Sequence, residues 1–352
     1  MKKIYRFLIL SAIAALLIFQ NNKLFAGNED RSGQSGASEL LINPFTRSSG
    51  WGGVNTANGR GLDAIFTNVA GIAFTQKTEV MFAQTQWLKG SDINISTFGF
   101  TQKVGETGVI GINIMSMSFG DIMIRTVDQP EGGIGNFTPS FINIGIAYAK
   151  AFSNSIYGGI NFKIISESIS DASAEGIAID AGIQYVTGPT DNIKFGISMK
   201  NVGPTLKYSG DGFSFRGYMN NTTNNLTIEQ RSAEFELPSL INIGASYDFV
   251  FSEKHRLTIA GNFTSNSFSK DQYILGAEYG FMQYLMLRAG FSYEDGIFDV
   301  AKRTNALTGP CAGITIQAPM SKEKGSTFSI DYSYRATNPF QGCHTIGARI
   351  NL

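Results

Sequence analysis

Side chains that commonly catalyse reactions are scarce in this sequence of 352 residues, which has two histidines and two cysteines. It contains no HExxH motif, no nucleophile elbow and no Walker loop. The strand pattern described below places His255 and His344 at opposite ends of the molecule, so we expect no catalytic residues, no cofactor and no metal site. A lipase-like or lipid A deacylase-like triad of His344 with a nearby serine and glutamate stays open, because geometry and not chain order defines a triad.

Charged side chains also occur singly within apolar, alternating segments of the sequence. These side chains are Asp180, Glu278, Arg288, Asp331 and Arg349. An isolated charge inside a protein is costly, so each of them needs polar surroundings or an opposite charge. We interpret the five as lining a polar lumen, where they pair with each other or with an inserted segment.

The composition favours strands that face something less polar than water. Charged residues make up 16% of the chain, whereas about a quarter is usual for globular domains. From Lys77 to the C-terminus, apolar side chains alternate with small or polar ones at a period of two. Between Glu175 and Val186, for example, Ile179 and Tyr185 lie on one face and Asp180 on the other. A soluble sandwich also alternates in this way, so the alternation alone leaves two classes open.

Loop lengths distinguish these two classes. We predict fourteen strands, at 77–87, 92–103, 107–118, 139–151, 156–168, 173–187, 192–201, 238–249, 256–265, 270–281, 284–293, 311–318, 325–335 and 343–352. Short turns such as 104–106 and 282–283 alternate with long loops at 119–138, 202–237 and 294–310. This asymmetry is typical of outer-membrane barrels, and about ten tilted residues span their apolar band of about 25 Å. The sequence therefore predicts an all-β fold, a 14-stranded antiparallel transmembrane β-barrel at 76–352.

Residues 1–26 have the features of a secretory signal peptide. Lys2, Lys3 and Arg6 precede an apolar run that is too short to span a bilayer as a helix, and Ala26 and Gly27 offer a cleavage point. Without this segment the chain has 24 positive and 28 negative residues. A slightly acidic chain gives no reason to expect a nucleic-acid partner.

Residues 27–75 form neither a signal peptide nor strands. They combine many glycines with apolar side chains such as Leu40, Phe45 and Trp51. Glycine suits irregular backbone in a confined space, and the apolar side chains must be buried against something larger. We predict a plug, or hatch, inside the barrel. An ordinary turn-rich cap on a soluble domain is the alternative.

The plug segment carries the residues of a family resemblance. They are Asn43, Pro44, Arg47, Gly50, Gly52, Gly53, Asn68, Ala70 and Gly71. The run Asn68-Val69-Ala70-Gly71 resembles the Asn-Pro-Ala-Gly hatch motif of FadL-like outer-membrane barrels. The earlier part, from Leu40 to Gly53, resembles the opening of the PorV/PorQ family of Bacteroidetes. Val69 stands where this motif usually has proline, the residue that would fix the turn there.

The resemblance implies a function in the type IX secretion system. Members of the PorV/PorQ family sit in the outer-membrane lipids, associate with the translocon barrel and the surface attachment complex, and receive cargo with a C-terminal domain. A FadL-like channel for uptake of hydrophobic small molecules is the alternative function.

The 202–237 loop is the candidate partner-binding loop. It carries the aromatic residues Phe213, Phe215, Tyr218 and Phe235 around the polar tract 220–225. Exposed aromatic side chains on an outward loop are suited to anchor a protein partner. A solvated loop with its aromatic side chains tucked into the barrel mouth is the other interpretation.

The two cysteines lie at the outward ends of predicted strands twelve and fourteen. An oxidising compartment favours a disulfide between Cys311 and Cys343, and we predict one. One strand lies between them, so strand spacing alone separates them by about 9–10 Å. The bond therefore requires the loop ends to lean together.

Overall fold

The structure is a computed structural model that describes Gly27 and residues 29–218, 224–321 and 325–352. The predicted signal peptide and residues 220–223 of the polar tract lie outside the described residues. No helix among the described residues is long and apolar enough to cross a membrane.

Twenty strands make up most of the described chain. They are β1 (Thr78–Trp87), β2 (Ile93–Val104), β3 (Gly108–Ser118), β4 (Ile122–Met123), β5 (Asn136–Phe137), β6 (Ser140–Ala151), β7 (Ile156–Ile169), β8 (Ala172–Thr187), β9 (Ile193–Val202), β10 (Leu206–Lys207), β11 (Ser214–Tyr218), β12 (Asn225–Glu229), β13 (Glu234–Phe235), β14 (Leu240–Ser252), β15 (His255–Asn266), β16 (Gln272–Phe281), β17 (Leu285–Glu294), β18 (Leu307–Ser321), β19 (Ser326–Thr337) and β20 (Cys343–Asn351).

Fourteen of these strands form one closed antiparallel barrel, which confirms the predicted fold class. The barrel runs in the order β1-β2-β3-β6-β7-β8-β9-β14-β15-β16-β17-β18-β19-β20, and β1 pairs with β20 to close it. The six other strands form three pairs in the long connections: β4 with β5, β10 with β13, and β11 with β12. We call the end with the long connections the outer end and the end with the short turns the inner end.

The two faces of the barrel wall differ as the alternation predicts. Aliphatic side chains in the middle of strands point away from the barrel, and Ile183, Ile197 and Ile243 are each at least half exposed. Their neighbours Gln184, Ser198 and Asn242 point inward and are buried. An apolar outer face around a polar, filled interior suits a lipid environment.

Short helices fill the interior between residues 29 and 75. An α-helix, α1 (Thr46–Ser49), lies among 3₁₀-helices at Glu29–Arg31, Ser38–Leu41, Gly61–Phe66 and Val69–Phe74. Phe45, Leu62 and Ile72 are fully buried in one apolar cluster with wall residues that include Met115 and Ile165. Burial of these side chains against the wall stabilises a segment that has little regular hydrogen bonding of its own.

Candidate functional site

Inward-facing glycines of the wall allow the plug to lie directly on the strands. An added Cβ at Gly182 would lie 2.0 Å from Asn68 Oδ1, and one at Gly347 would lie 2.5 Å from Thr46 Oγ1. At Gly196 it would lie 2.3 Å from the Thr56 carbonyl oxygen. The glycines of the plug were recognised from the sequence, but these partner glycines on the wall were not. Their signal was the recurrence of glycine at inward positions of alternating strands.

Asn68 fastens the plug to the wall. Its Oδ1 accepts a hydrogen bond from the Ala70 amide (3.2 Å), which caps the helix Val69–Phe74. Its Nδ2 donates to the carbonyl oxygens of Thr56 and Ile183, both at 2.9 Å. Val69 follows this cap at the first helical position, where proline is favoured but not required.

The other hatch residues shape the plug backbone. Asn43 Oδ1 accepts a hydrogen bond from the Phe45 amide (3.1 Å), which fixes the turn at Pro44 just before α1. Gly52 and Gly53 have φ of 78° and 81°, a region that favours glycine. Gly50, just before them, lies so close to Gly313 of the wall that an added Cβ would come within 2.9 Å of the Gly313 Cα. Gly71 packs as tightly on the Gly59 carbonyl.

A network of charges joins the plug to strands β15–β20 and β1. Glu278 accepts hydrogen bonds from Arg288 (2.6 Å) and Arg256 (2.7 Å). Arg349 lies 3.8 Å from Glu79, which also accepts from the Leu62 amide of the plug. Three of the predicted lumen residues, Glu278, Arg288 and Arg349, thus contact charged partners. Their partner Glu79 was not predicted from the sequence.

Arg47 of the plug lies at the centre of this network. Its guanidinium interacts electrostatically with Glu278, Asp63, Asp331 and Glu79. Asp331 also accepts a hydrogen bond from Thr315, and Thr315 in turn accepts one from Arg288 (2.7 Å). The Asp63 carboxylate accepts a hydrogen bond from Ser48 Oγ (2.8 Å) within the plug.

A second buried ion pair marks an irregular point in the wall. Lys163 Nζ lies 2.7 Å from Asp180, and both side chains are at least 95% buried. Here Lys200 and Asn201 are consecutive buried residues of β9, and the register of β8 with β9 shifts between Ile179 and Ala181. Asp180 accepts from the Asn201 amide (2.8 Å), so the pair stabilises a β-bulge.

A vestibule of about 500 Å³ opens on the outer side of the plug. Its lining includes the apolar Ile42, Phe66, Trp87 and Met117, together with polar side chains such as Glu39. Burial raises the pKa of the Glu39 carboxyl. The plug separates this vestibule from the inner end of the barrel.

Part of the predicted partner-binding loop is packed into the barrel mouth. Phe235 lies against Tyr208 (ring centroids 5.7 Å apart) and over Gly36 of the plug segment. The amide of Gly36 donates to the Glu236 carbonyl oxygen (3.0 Å), which ties the start of the plug segment to the same loop. Phe235 is therefore half-buried in the barrel mouth, as the second interpretation of this loop expects.

The hairpin β11–β12 presents the other aromatic side chains of this loop. Phe215 and Tyr218 are 52% and 69% exposed, and Leu226 is 41% exposed. Phe213 is half-buried at the hairpin base, where the amide of Gly212 donates to the Asp171 carbonyl oxygen (3.1 Å). The five pairs of residues in this hairpin join no other strand. Two isolated strands are marginally stable in water and gain stability from a contact on their apolar face.

The predicted disulfide is wrong, because both cysteines are free buried thiols. Cys311 of β18 and Cys343 of β20 both pair with Arg335 of the intervening strand β19. Two strand spacings place the cysteines about 9–10 Å apart, beyond the reach of a disulfide. Cys343 Sγ instead accepts a hydrogen bond from the Leu88 amide (3.3 Å).

The two histidines lie at opposite ends of the barrel and bind tyrosines. His255 Nδ1 is 2.6 Å from Tyr279 Oη at the inner end. His344 Nδ1 is 2.9 Å from Tyr332 Oη at the outer end. Each belongs to an aromatic group at the rim of the barrel.

Three solved structures share this fold. The CymD monoaromatic hydrocarbon channel is 14% identical, with a TM-score of 0.54 over 88% of this chain and 97% of that chain. The Pseudomonas putida toluene transporter TodX and the Ralstonia pickettii toluene transporter TbuX are each 12% identical over the same shares of the two chains, with TM-scores of 0.54 and 0.53. These likenesses confirm the predicted FadL-like barrel fold. No curated protein matches the chain.

The family model of the type IX secretion system membrane protein PorP/SprF matches residues 70–346. The resemblance to the PorV/PorQ family was therefore wrong, although the secretion system was right. The hatch residues that suggested it lie almost wholly before residue 70 and serve to dock a plug on a wall, a requirement of any plugged barrel. The chain belongs to the PorP/SprF family of type IX secretion system membrane proteins and is an outer-membrane component of that system.

Proposed function

We propose that this protein has no enzymatic activity and binds a protein of the type IX secretion system at its outer end, through the β11–β12 hairpin. The partner is the C-terminal domain of a secreted cargo protein or the translocon barrel. One observation carries the proposal: an isolated hairpin holds two large aromatic side chains in solvent at the outer rim. Exposed aromatic residues of this kind commonly supply most of the binding energy of an interface.

The filled lumen supports binding in preference to conduction of a protein. Plug residues touch strands on all sides of the wall, and at inward-facing wall glycines such as Gly182 and Gly196 the two are in direct contact. A polypeptide could pass only if this packed and charged interface were broken. The outer surface is the part of the molecule that another protein can reach without such a change.

The first prediction tests the aromatic side chains of the hairpin. Replacing Phe215 and Tyr218 by serine should weaken partner capture about tenfold or more, because two anchors are removed. Tagged protein from outer membranes is used to pull down cargo and translocon proteins, which are quantified by mass spectrometry. Val127→Ser, a change at a fully exposed residue of another outward loop, is the matched control. Equal capture of partners by the unmodified protein, the Phe215/Tyr218 variant and the Val127 variant would refute the role of the hairpin.

A channel for hydrophobic small molecules is the second candidate function. The vestibule favours it, because its apolar lining could hold a molecule of that kind. Uptake would require the plug to move, since it closes the barrel below the vestibule. A deletion strain that secretes cargo normally but no longer takes up a hydrophobic substrate would support this function in place of partner binding.

A further inference from the structure

A second cavity lies between the plug and the inner half of the wall. Its volume is about 90 Å³, which is room for one small anion together with water. Residues of the plug and of β9, β14, β15, β16 and β17 line it. Nothing in the proposed partner binding at the outer end uses this cavity.

Positive side chains outnumber negative ones around the cavity. The cations are Arg47, Arg60, Lys194, Arg256 and Arg288, and the anions are Asp63, Asp248 and Glu278. Five cations and three anions leave an excess of two positive charges in the lining. Such an excess in a partly enclosed space is costly unless a counter-ion is present.

The carboxylates of the lining already have partners of their own. Asp248 lies 2.5 Å from Lys194 and accepts from Thr258 (2.7 Å). The other two are engaged as described above, Glu278 with two arginines and Asp63 with Ser48. Among the lining residues, the excess positive charge therefore remains on the arginines. Asp331 and Glu79, which also interact with Arg47, lie outside the lining.

Three hydrogen-bond donors of the lining are buried without a partner. They are Arg47 Nε, Trp51 Nε1 and Arg288 Nη2. Trp51 and Arg288 are each 96% buried, so water outside the protein does not satisfy them. A buried donor without an acceptor costs about 1–3 kcal/mol, and three around one cavity indicate an absent acceptor.

We propose that this cavity binds a divalent inorganic oxyanion, of which hydrogen phosphate is the model. Two negative charges balance the excess of the lining, and several acceptor oxygens can satisfy donors that come from different sides. The single O–H of hydrogen phosphate can donate to the unpartnered Asn58 Oδ1. The anion would bridge plug and wall, since Arg47 and Trp51 belong to the plug and Arg288 to β17.

The entry path is at the inner end. Arg60 is exposed there, and the side chain of Arg256 is 44% exposed. Both arginines attract an anion from the solution on that side and lead to the buried donors. The site is thus accessible in the folded barrel without movement of the plug.

Isothermal titration calorimetry of the purified, folded barrel with inorganic phosphate tests the proposal, at a pH at which phosphate is mostly divalent. We expect saturable binding, and no saturable binding of chloride at equal ionic strength. Arg47→Gln and Trp51→Phe should each weaken phosphate binding about tenfold or more, because each removes a hydrogen bond to a charged group. Arg125→Gln makes the same charge change at an exposed residue of the 119–138 loop and should bind phosphate like the unmodified protein.

Several results would overturn the proposal. They are no saturable phosphate binding, equal binding of chloride, or unchanged phosphate binding in the Trp51→Phe barrel. Trp51→Phe keeps the charge and an aromatic ring at this position, so it decides the question if Arg47→Gln does not fold. A difference in migration between unboiled and boiled samples in SDS gels identifies the folded variants.

Discussion

Replacing Arg288 by methionine will lower the free energy of unfolding of the barrel by about 3–5 kcal/mol, the usual cost of removing one partner of a buried ion pair. The side chain of Arg288 is 1% exposed and lies 2.6 Å from Glu278, whose side chain is 6% exposed. The change leaves the carboxylate buried with a single partner. Urea unfolding of barrels refolded in lipid vesicles, in phosphate-free buffer, measures the loss.

Arg256→Met is the matched control, because Arg256 binds the same carboxylate from the edge of the network. Its side chain is 44% exposed at 2.7 Å from Glu278. Water and salt screen a pair of this kind, so we expect a loss of about 0–1 kcal/mol. Similar losses for the two variants would show that the network is not buried as described.

Replacing Ile197 by arginine will destabilise the barrel by about 2–4 kcal/mol and reduce its assembly in membranes, because the charge would lie at the bilayer midplane. Ile197 is in the middle of β9, faces away from the lumen and is 56% exposed. The same urea unfolding measurement applies, together with the yield of folded barrel.

Ile122→Arg makes the same change in β4, within an outward loop, where the side chain is 43% exposed. Water surrounds it there, so we expect a change of less than about 0.5 kcal/mol. A loss as large as that of the Ile197 variant would mean that the outward loops enter the bilayer. No loss at Ile197 would contradict a lipid-facing β9.

The wall of the barrel could be predicted from the sequence because a strand has a simple period. Successive side chains of a strand point alternately to lipid and to the lumen. The directions of Ile197 and Asp180 can therefore be predicted without knowing which strands lie beside them. The predicted strand ends differ most from the observed ones at β18, which was predicted at 311–318 and spans Leu307–Ser321. Register shifts interrupt the alternation at both of its ends. The short strand pairs of the loops were missed because two to five residues carry too little pattern.

The plug and the ionic network could be predicted only in kind. The sequence shows that Arg47 and Glu278 need partners, but three-dimensional packing alone brings them together across 231 positions of the chain. The disulfide prediction was wrong for a related reason. An oxidising compartment favours a bond between two cysteines, but here the strand between Cys311 and Cys343 keeps them too far apart. The PorV/PorQ family was wrongly predicted because the hatch residues are those that any plugged barrel needs to hold its plug, and they do not distinguish one family from another.

Replacing residues 214–229 by a short glycine-serine linker tests partner binding at the outer end most directly. The barrel should remain folded and in the outer membrane, because β11 and β12 pair only with each other. Secreted proteins with a C-terminal domain should then accumulate in the periplasm, and their amounts in periplasm and medium are measured by immunoblotting. Normal secretion by cells that contain the folded, shortened barrel would contradict the account.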